Sequence, residues 1–432
     1  MFSQRILGLS AVLLVGCATN SNVRSGEPAD AGVSEEAARA AKLDGLEQQA
    51  TALLHAEDEA LWAHWTAGAP LDLARVKEPY RSLLSRESLT LSRERVDLHR
   101  FIASELISEG VAAEQRALSQ QEATVTFMLD GKELAWRDLP RLLASEKSAV
   151  KRRALWTASH EAAKKLDEAL GARDAKRALV VAELGLAPDF EEQARGVSLA
   201  NLRVEAEALL NSTDAEWFTT LQKLSDAEVK LPLTALTRGD FPRLLRVPAN
   251  VDAEFPKEKF VERLPAVEHV TVDATESPKK SALPLTVALS PTDVRVSLKP
   301  GIGLRDAQQA LAEVGLAKAL VGRPRLGDMR GAQVQAQLAA DSVRDDAWLA
   351  ANGVNSREAV IASARALWLF QARRAAAVVL SVSPEKYVVV MGRALGLKLS
   401  ADEAARYRVE TSDVLRAASQ LDTMLRAEEQ RH

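Results

Sequence analysis

Glu313 is the carboxylate in this sequence whose setting best suits general-base chemistry. It lies in Ala312-Glu313-Val314-Gly315-Leu316-Ala317, shortly after a segment in which Val294, Val296 and Leu298 alternate. That segment reads as a strand, and Pro300-Gly301-Ile302-Gly303 turns it into a helix. A strand–turn–helix unit holds a side chain at a fixed place. A glutamate on such a helix can activate water held by a metal ion, provided two imidazoles flank it at i−1 and i+3 on the same helix face. Here those positions carry Ala312 and Leu316. Neither donates a lone pair, so the carboxylate stands without its metal ligands.

No other pattern replaces it. His160-Glu161-Ala-Ala-Lys164 has the right first two residues, but its fifth is a cation that repels a metal. It reads instead as a surface helix turn with Glu161 paired to Lys164 or Lys165. The chain has six histidines, none three to five residues from another. His55 and His64 are nine apart, and His64 sits between Trp62 and Trp65 as a packed or surface residue. Gly-x-Ser-x-Gly, P-loop and dinucleotide patterns do not occur. Gly301-Ile302-Gly303 at a helix start could offer N–H groups to an anion, or could serve only as a tight turn.

The elements that must position these residues are mostly helical. Of the 432 residues, 47% are hydrophobic, 27% charged and only 4% aromatic, with Ala, Leu, Glu and Arg prominent. That mix favours helix over a sandwich or barrel. The net charge of −4 comes from interleaved acids and bases, with no basic tract, which argues against a nucleic-acid partner. Helical periodicity runs from Glu35 to about Phe127. A hairpin follows, 124–129 and 132–136 about Asp130-Gly131, then helices with Asp138 or Ser145 as caps. Further helices are expected over roughly 199–211 and 213–228. A proline-rich stretch at 230–300 carries short strands at His269–Asp273 and Leu285–Leu289, and helices return from Leu304. The fold class is thus mainly α with a small sheet and hairpin. The expected divisions are 1–16, 17–34, an N-terminal helical domain over 35–229 and a second domain over 230–432.

The N-terminus is a targeting segment. Arg5 precedes an apolar run from Ile6 to Val15, too short to span a bilayer, that ends at Gly16-Cys17. This resembles the lipobox of bacterial lipoproteins. The resemblance implies cleavage before Cys17, acylation of its thiol and attachment to the membrane, and Ala18 after the Cys points to the outer membrane facing the periplasm. Cys17 is the only cysteine, so acylation leaves neither a free thiol nor a disulfide. Residues 17–34 read as a flexible tether, with structure starting at Ser34 as N-cap.

Four segments carry a second resemblance: Ser145-Glu-Lys-Ser-Ala-Val-Lys-Arg-Arg-Ala-Leu-Trp156, Asp293–Pro300 with the helix after it, Asp345-Asp-Ala-Trp-Leu349, and Asp413-Val-Leu-Arg-Ala417. In order and spacing they resemble the oligoendopeptidase F and thimet-type oligopeptidases, zinc peptidases of the zincin class. The resemblance implies an elongated multi-helix peptidase scaffold over 230–432. Carried over by position, the histidine ligands become Ala312 and Leu316, the third ligand falls near Gln333, and a late tyrosine becomes Val414. The implied protein is a lipid-anchored, non-catalytic relative without zinc, Glu313 being a relic base. Such a shell would bind peptide or protein segments or pair with an active homologue. Two alternatives stay open: an active metallopeptidase with zinc at a displaced site, and a structural helical envelope lipoprotein.

Overall fold

A computed structural model describes residues 30–327 and 329–431. Cys17 and the signal segment lie outside them. The described chain is mainly helical, with a two-stranded and a three-stranded sheet. Helices of ten residues or more are α1 (Asp30–Ala67), α2 (Val96–Gly110), α3 (Ala112–Thr124), α4 (Ala149–Ala158), α5 (His160–Glu183), α6 (Leu199–Glu228), α7 (Leu304–Leu320), α8 (Arg330–Ala340), α9 (Arg357–Leu380), α10 (Pro384–Leu395) and α11 (Val414–Arg431). None is long and apolar enough to cross a membrane.

Several local expectations change. Helix α1 begins at Asp30, inside the stretch expected as tether, and not at Ser34. Helix α6 runs unbroken where two helices were expected, because Leu202, Leu209, Leu210, Trp217 and Leu221 keep one buried stripe across Asn211-Ser212-Thr213. Helix α4 is capped by Ser148, which accepts from the Lys151 N–H, and not by Asp138 or Ser145. Asp345 caps a short helix, Asp346–Ala351, accepting from the N–H groups of Ala347 and Trp348.

The hairpin forms as read. Strands β1 (Thr126–Leu129) and β2 (Lys132–Ala135) pair antiparallel, and Asp130 and Gly131 both take positive φ, as a two-residue hairpin turn requires. Phe127 of β1 packs with Leu118, Trp136, Leu155 and Leu166. The largest core joins α6, α9, α10 and α11 and includes Trp217, Leu369, Tyr387 and Leu421. Helix α6 therefore packs with helices that follow residue 230.

The second sheet has the order β3 (Val270–Asp273), β5 (Asp293–Ser297), β4 (Leu285–Ser290), with β3 parallel and β4 antiparallel to β5. Side chains alternate across it. Leu285, Val287 and Leu289 of β4 pack with Leu61 and Trp65 of α1. Val294 and Val296 of β5 pack with Ala310, Leu316 and Ala317 of α7. The sheet is thus buried on both faces by helices about 240 residues apart in the chain.

Helix α8 then packs along α7, and Gly315 lies where the two come close together. A Cβ there would lie 2.5 Å from Ala339 Cβ and 3.1 Å from Gln335 O. Gly315→Ala should gain helix propensity of about 1 kcal/mol yet lose about 1–3 kcal/mol to overpacking. Urea denaturation is expected to show a net loss, restored in part by adding Ala339→Gly. Equal or raised stability of the single variant would mean that the helices do not pack this closely.

Candidate functional site

The strand-to-helix turn before Glu313 is closed by the protein's own carboxylates. Gly303 adopts φ +101°, and a Cβ there would meet Asp252. Asp252 Oδ1 accepts from the Leu304 N–H at 3.1 Å, and Asp306 Oδ2 accepts from the Ile302 N–H at 2.9 Å. The Gly303 N–H donates to Phe255 O at 3.0 Å, so three successive donors of this segment are taken by the chain itself and Gly301–Gly303 serves as the tight turn.

Glu313 lies on the sheet-facing side of α7. Thr286, on the same face of β4, donates its hydroxyl to Glu313 Oε2 at 2.6 Å. Burial pushes the carboxyl above its usual range, and the Thr286 hydroxyl opposes that only in part. Leu316 is 4% exposed within the cluster of Val294, Val296 and Ala317. Ala312 is partly buried, and Gln333 is partly buried on the first turn of α8. Val414 packs against the large core of α6, α9, α10 and α11 rather than the Leu316 cluster. A catalytic zinc does not fit these residues. Ala312 and Leu316 supply no donor, and Glu313 is already engaged by Thr286. Among the described residues no three His, Cys, Asp or Glu side chains gather as a metal would require.

The histidines are scattered. His55 Nδ1 lies 2.9 Å from Leu289 O, and His64 Nδ1 lies 2.7 Å from Ala69 O. Glu161 pairs with Lys165 at 2.8 Å, as expected of a surface turn. His160, however, is buried, edge-on to Trp156 and 3.9 Å from Glu403. The helix turn is therefore exposed on only one side.

His160 borders the densest polar cluster among the described residues, which residue types alone did not reveal. Arg238 donates to both oxygens of Glu410 at 2.7 and 2.9 Å, to Glu403 at 3.2 Å and to the Tyr387 hydroxyl. Trp156 Nε1 donates to Glu403 at 2.6 Å. The Arg406 guanidinium lies 3.6 Å from the ring centre of Trp156 and 4.8 Å from that of Trp136, and donates to Ser159 Oγ. Arg152 donates to Asp240 Oδ1 at 2.6 Å, and both side chains are buried. The segment Ser145–Trp156 pointed here without naming a role, since Arg152 and Trp156 both belong to it. The missing signal was long-range: Glu403 and Glu410 lie more than 160 residues beyond Arg238.

Burial alone would raise the Glu410 carboxyl, but Arg238, Arg374 and Arg406 together hold it down at about 2. Burial lowers the His160 imidazole against the pull of Glu403. Burial also lowers Arg406, to about 10. These shifts bind elements together. They do not poise a base, because every carboxylate in the cluster is already paired.

The comparisons with known proteins leave the family open: no family model matches the chain, and no curated protein matches it.

Two outcomes follow. Glu410→Gln removes one partner of a buried pair and should cost about 3–5 kcal/mol near neutral pH by urea denaturation. A depressed carboxyl stabilises above its unfolded range, and that contribution fades as pH falls from 4.5 towards about 2. The gap between variant and parent should narrow over the same window; a pH-independent gap refutes the ion-pair account. Glu313 has the opposite sign. Its raised carboxyl stabilises the fold below the unfolded range, and this is lost as pH rises through the folded value. The melting temperature of Glu313→Gln relative to the parent should therefore rise as the pH is raised above the ordinary carboxylate range. A flat difference would show that Glu313 is solvated.

Proposed function

We propose that the protein is a non-catalytic, lipid-anchored helical protein of the bacterial envelope, held at the outer membrane by an acylated Cys17. Of the three readings, the structural lipoprotein is the one the geometry favours. The observation that carries it is the Thr286–Glu313 hydrogen bond at 2.6 Å, which turns the one relic carboxylate onto the sheet. The apolar packing of Leu316 supports the same reading. In this reading the strand–turn–helix unit resembling a zinc peptidase serves as a packing unit, and Glu313 joins helix to sheet.

The test is a metal and turnover assay on the purified, lipidated chain. Zinc well below one equivalent and no cleavage of a mixed peptide library are expected. Chelator-sensitive hydrolysis that disappears in Glu313→Gln would overturn the proposal in favour of a peptidase. For the anchor, Cys17→Ala should shift the protein from the membrane pellet to the soluble fraction and abolish incorporation of labelled palmitate. Unchanged pelleting and labelling would exclude attachment through this thiol.

A further inference from the structure

Away from Glu313, a cavity of about 260 Å³ opens between the short helix Arg86–Leu91, the residues after it, the first turn of α2 and the C-terminal end of α5. Arg86, Thr90 and Arg93 line it, spaced four and three residues apart along one face. Neighbouring arginines have carboxylate partners: Arg81 pairs with Glu78 and Glu109, and Arg95 with Asp44 and Glu47. Arg86 and Arg93 make no ion pair among the described residues, and both are exposed. Glu183, across the cavity, is also exposed and has no ion pair among them.

Opposite charges thus line one cavity without meeting. Glu183 is the last residue of the 24-residue helix α5, whose terminal carbonyls of Val180, Val181 and Ala182 accept from Leu184, Leu186 and Gly185, so the anionic group at this end is the Glu183 carboxylate. One wall is cationic and the other anionic. His99 lies between them. Its Nδ1 is engaged by Leu89 O at 3.0 Å and Ser92 Oγ at 3.2 Å. Burial lowers the imidazole below its ordinary range, the Leu89 hydrogen bond opposing it and the charge of Arg93 adding to it. Leu184 and Leu186, both partly exposed, add apolar surface. The volume equals roughly nine waters at ~30 Å³ each, below the ~300 Å³ where drug-sized sites begin.

We propose that this cavity binds a small zwitterion of the amino-acid or dipeptide class. The carboxylate rests on Arg86 and Arg93, the ammonium on Glu183, and the side chain on Leu184 and Leu186. The site is independent of Glu313 and would give a non-catalytic envelope protein a ligand.

Calorimetric titration of the full lipidated chain in detergent tests it, with leucine and leucyl-leucine as probes and N-acetyl-leucine, leucine amide and inorganic phosphate as controls. At least one zwitterion should bind, and each control should bind it at least about tenfold more weakly. Arg86→Ala with Arg93→Ala, and separately Glu183→Gln, should each weaken the zwitterion by about tenfold or more while leaving the melting temperature unchanged. If leucine binds and leucyl-leucine does not, the ligand is a free amino acid; the reverse assigns a dipeptide. No heat with either zwitterion at about 10 mM would overturn the proposal. So would phosphate or N-acetyl-leucine binding as well as the zwitterion, or binding that survives the arginine substitutions.

Discussion

The buried guanidinium of Arg238 is the constraint to which much of the fold answers. An unpaired charge in that position would cost several kcal/mol, so the chain must bring anions to it. They come from Glu403 and Glu410, and the Tyr387 hydroxyl completes the set. Meeting that demand docks α10 and the 401–411 segment against the start of α5 and the turn at Arg238–Asp240. Glu403 then fixes Trp156. Arg406, held between Trp156 and Trp136, ties in the residues that follow the β1–β2 hairpin. Arg152 and Asp240 extend the same alternation of sign into α4. This buried cation therefore ties the start of α5 and the Trp136–Trp156 region to the 387–410 segment, beside the apolar core that joins α6 to α9, α10 and α11.

The three-stranded sheet imposes a second, apolar constraint. Its strands alternate, so each face needs its own cover. Helix α1 closes one face through Leu61 and Trp65, and α7 closes the other through Leu316 and Ala317. On the α7 side the polar Thr286 interrupts the apolar face of β4, and Glu313 is the partner it meets. The close fit of Gly315 to Ala339 then presses α8 onto the far side of α7.

What the sequence made legible was periodic or local. The hairpin at Asp130-Gly131 and the strands near 270–273, 285–290 and 293–297 all follow from alternation and turn chemistry. The end of the tether was less legible, because composition near Asp30 resembles both a linker and a helix start. The continuity of α6 was hidden because its polar middle is bridged by tertiary packing, which local propensity does not record. Within the site, Glu313 and its ligand-free neighbours could be read from residue types, but its partner Thr286 could not. The Arg238 cluster was the least visible part, since its pairs join residues from 152 to 410 and no spacing rule links them.

Glu313 and Glu410 show why residue type alone does not assign chemistry. Both are carboxyls withdrawn from water, and burial pushes both upwards. At Glu313 only one hydroxyl answers that push, so the protonated form gains. At Glu410 three guanidiniums answer it, so the anion wins by a wide margin. A general base needs an intermediate balance and a face open to the reacting proton. Glu410 lacks the first because its charge is fully paired. Glu313 lacks the second because its carboxylate meets the sheet. The same glutamate side chain is thus a hinge pin between helix and sheet in one setting and an electrostatic clamp in the other, and the surrounding donors decide which.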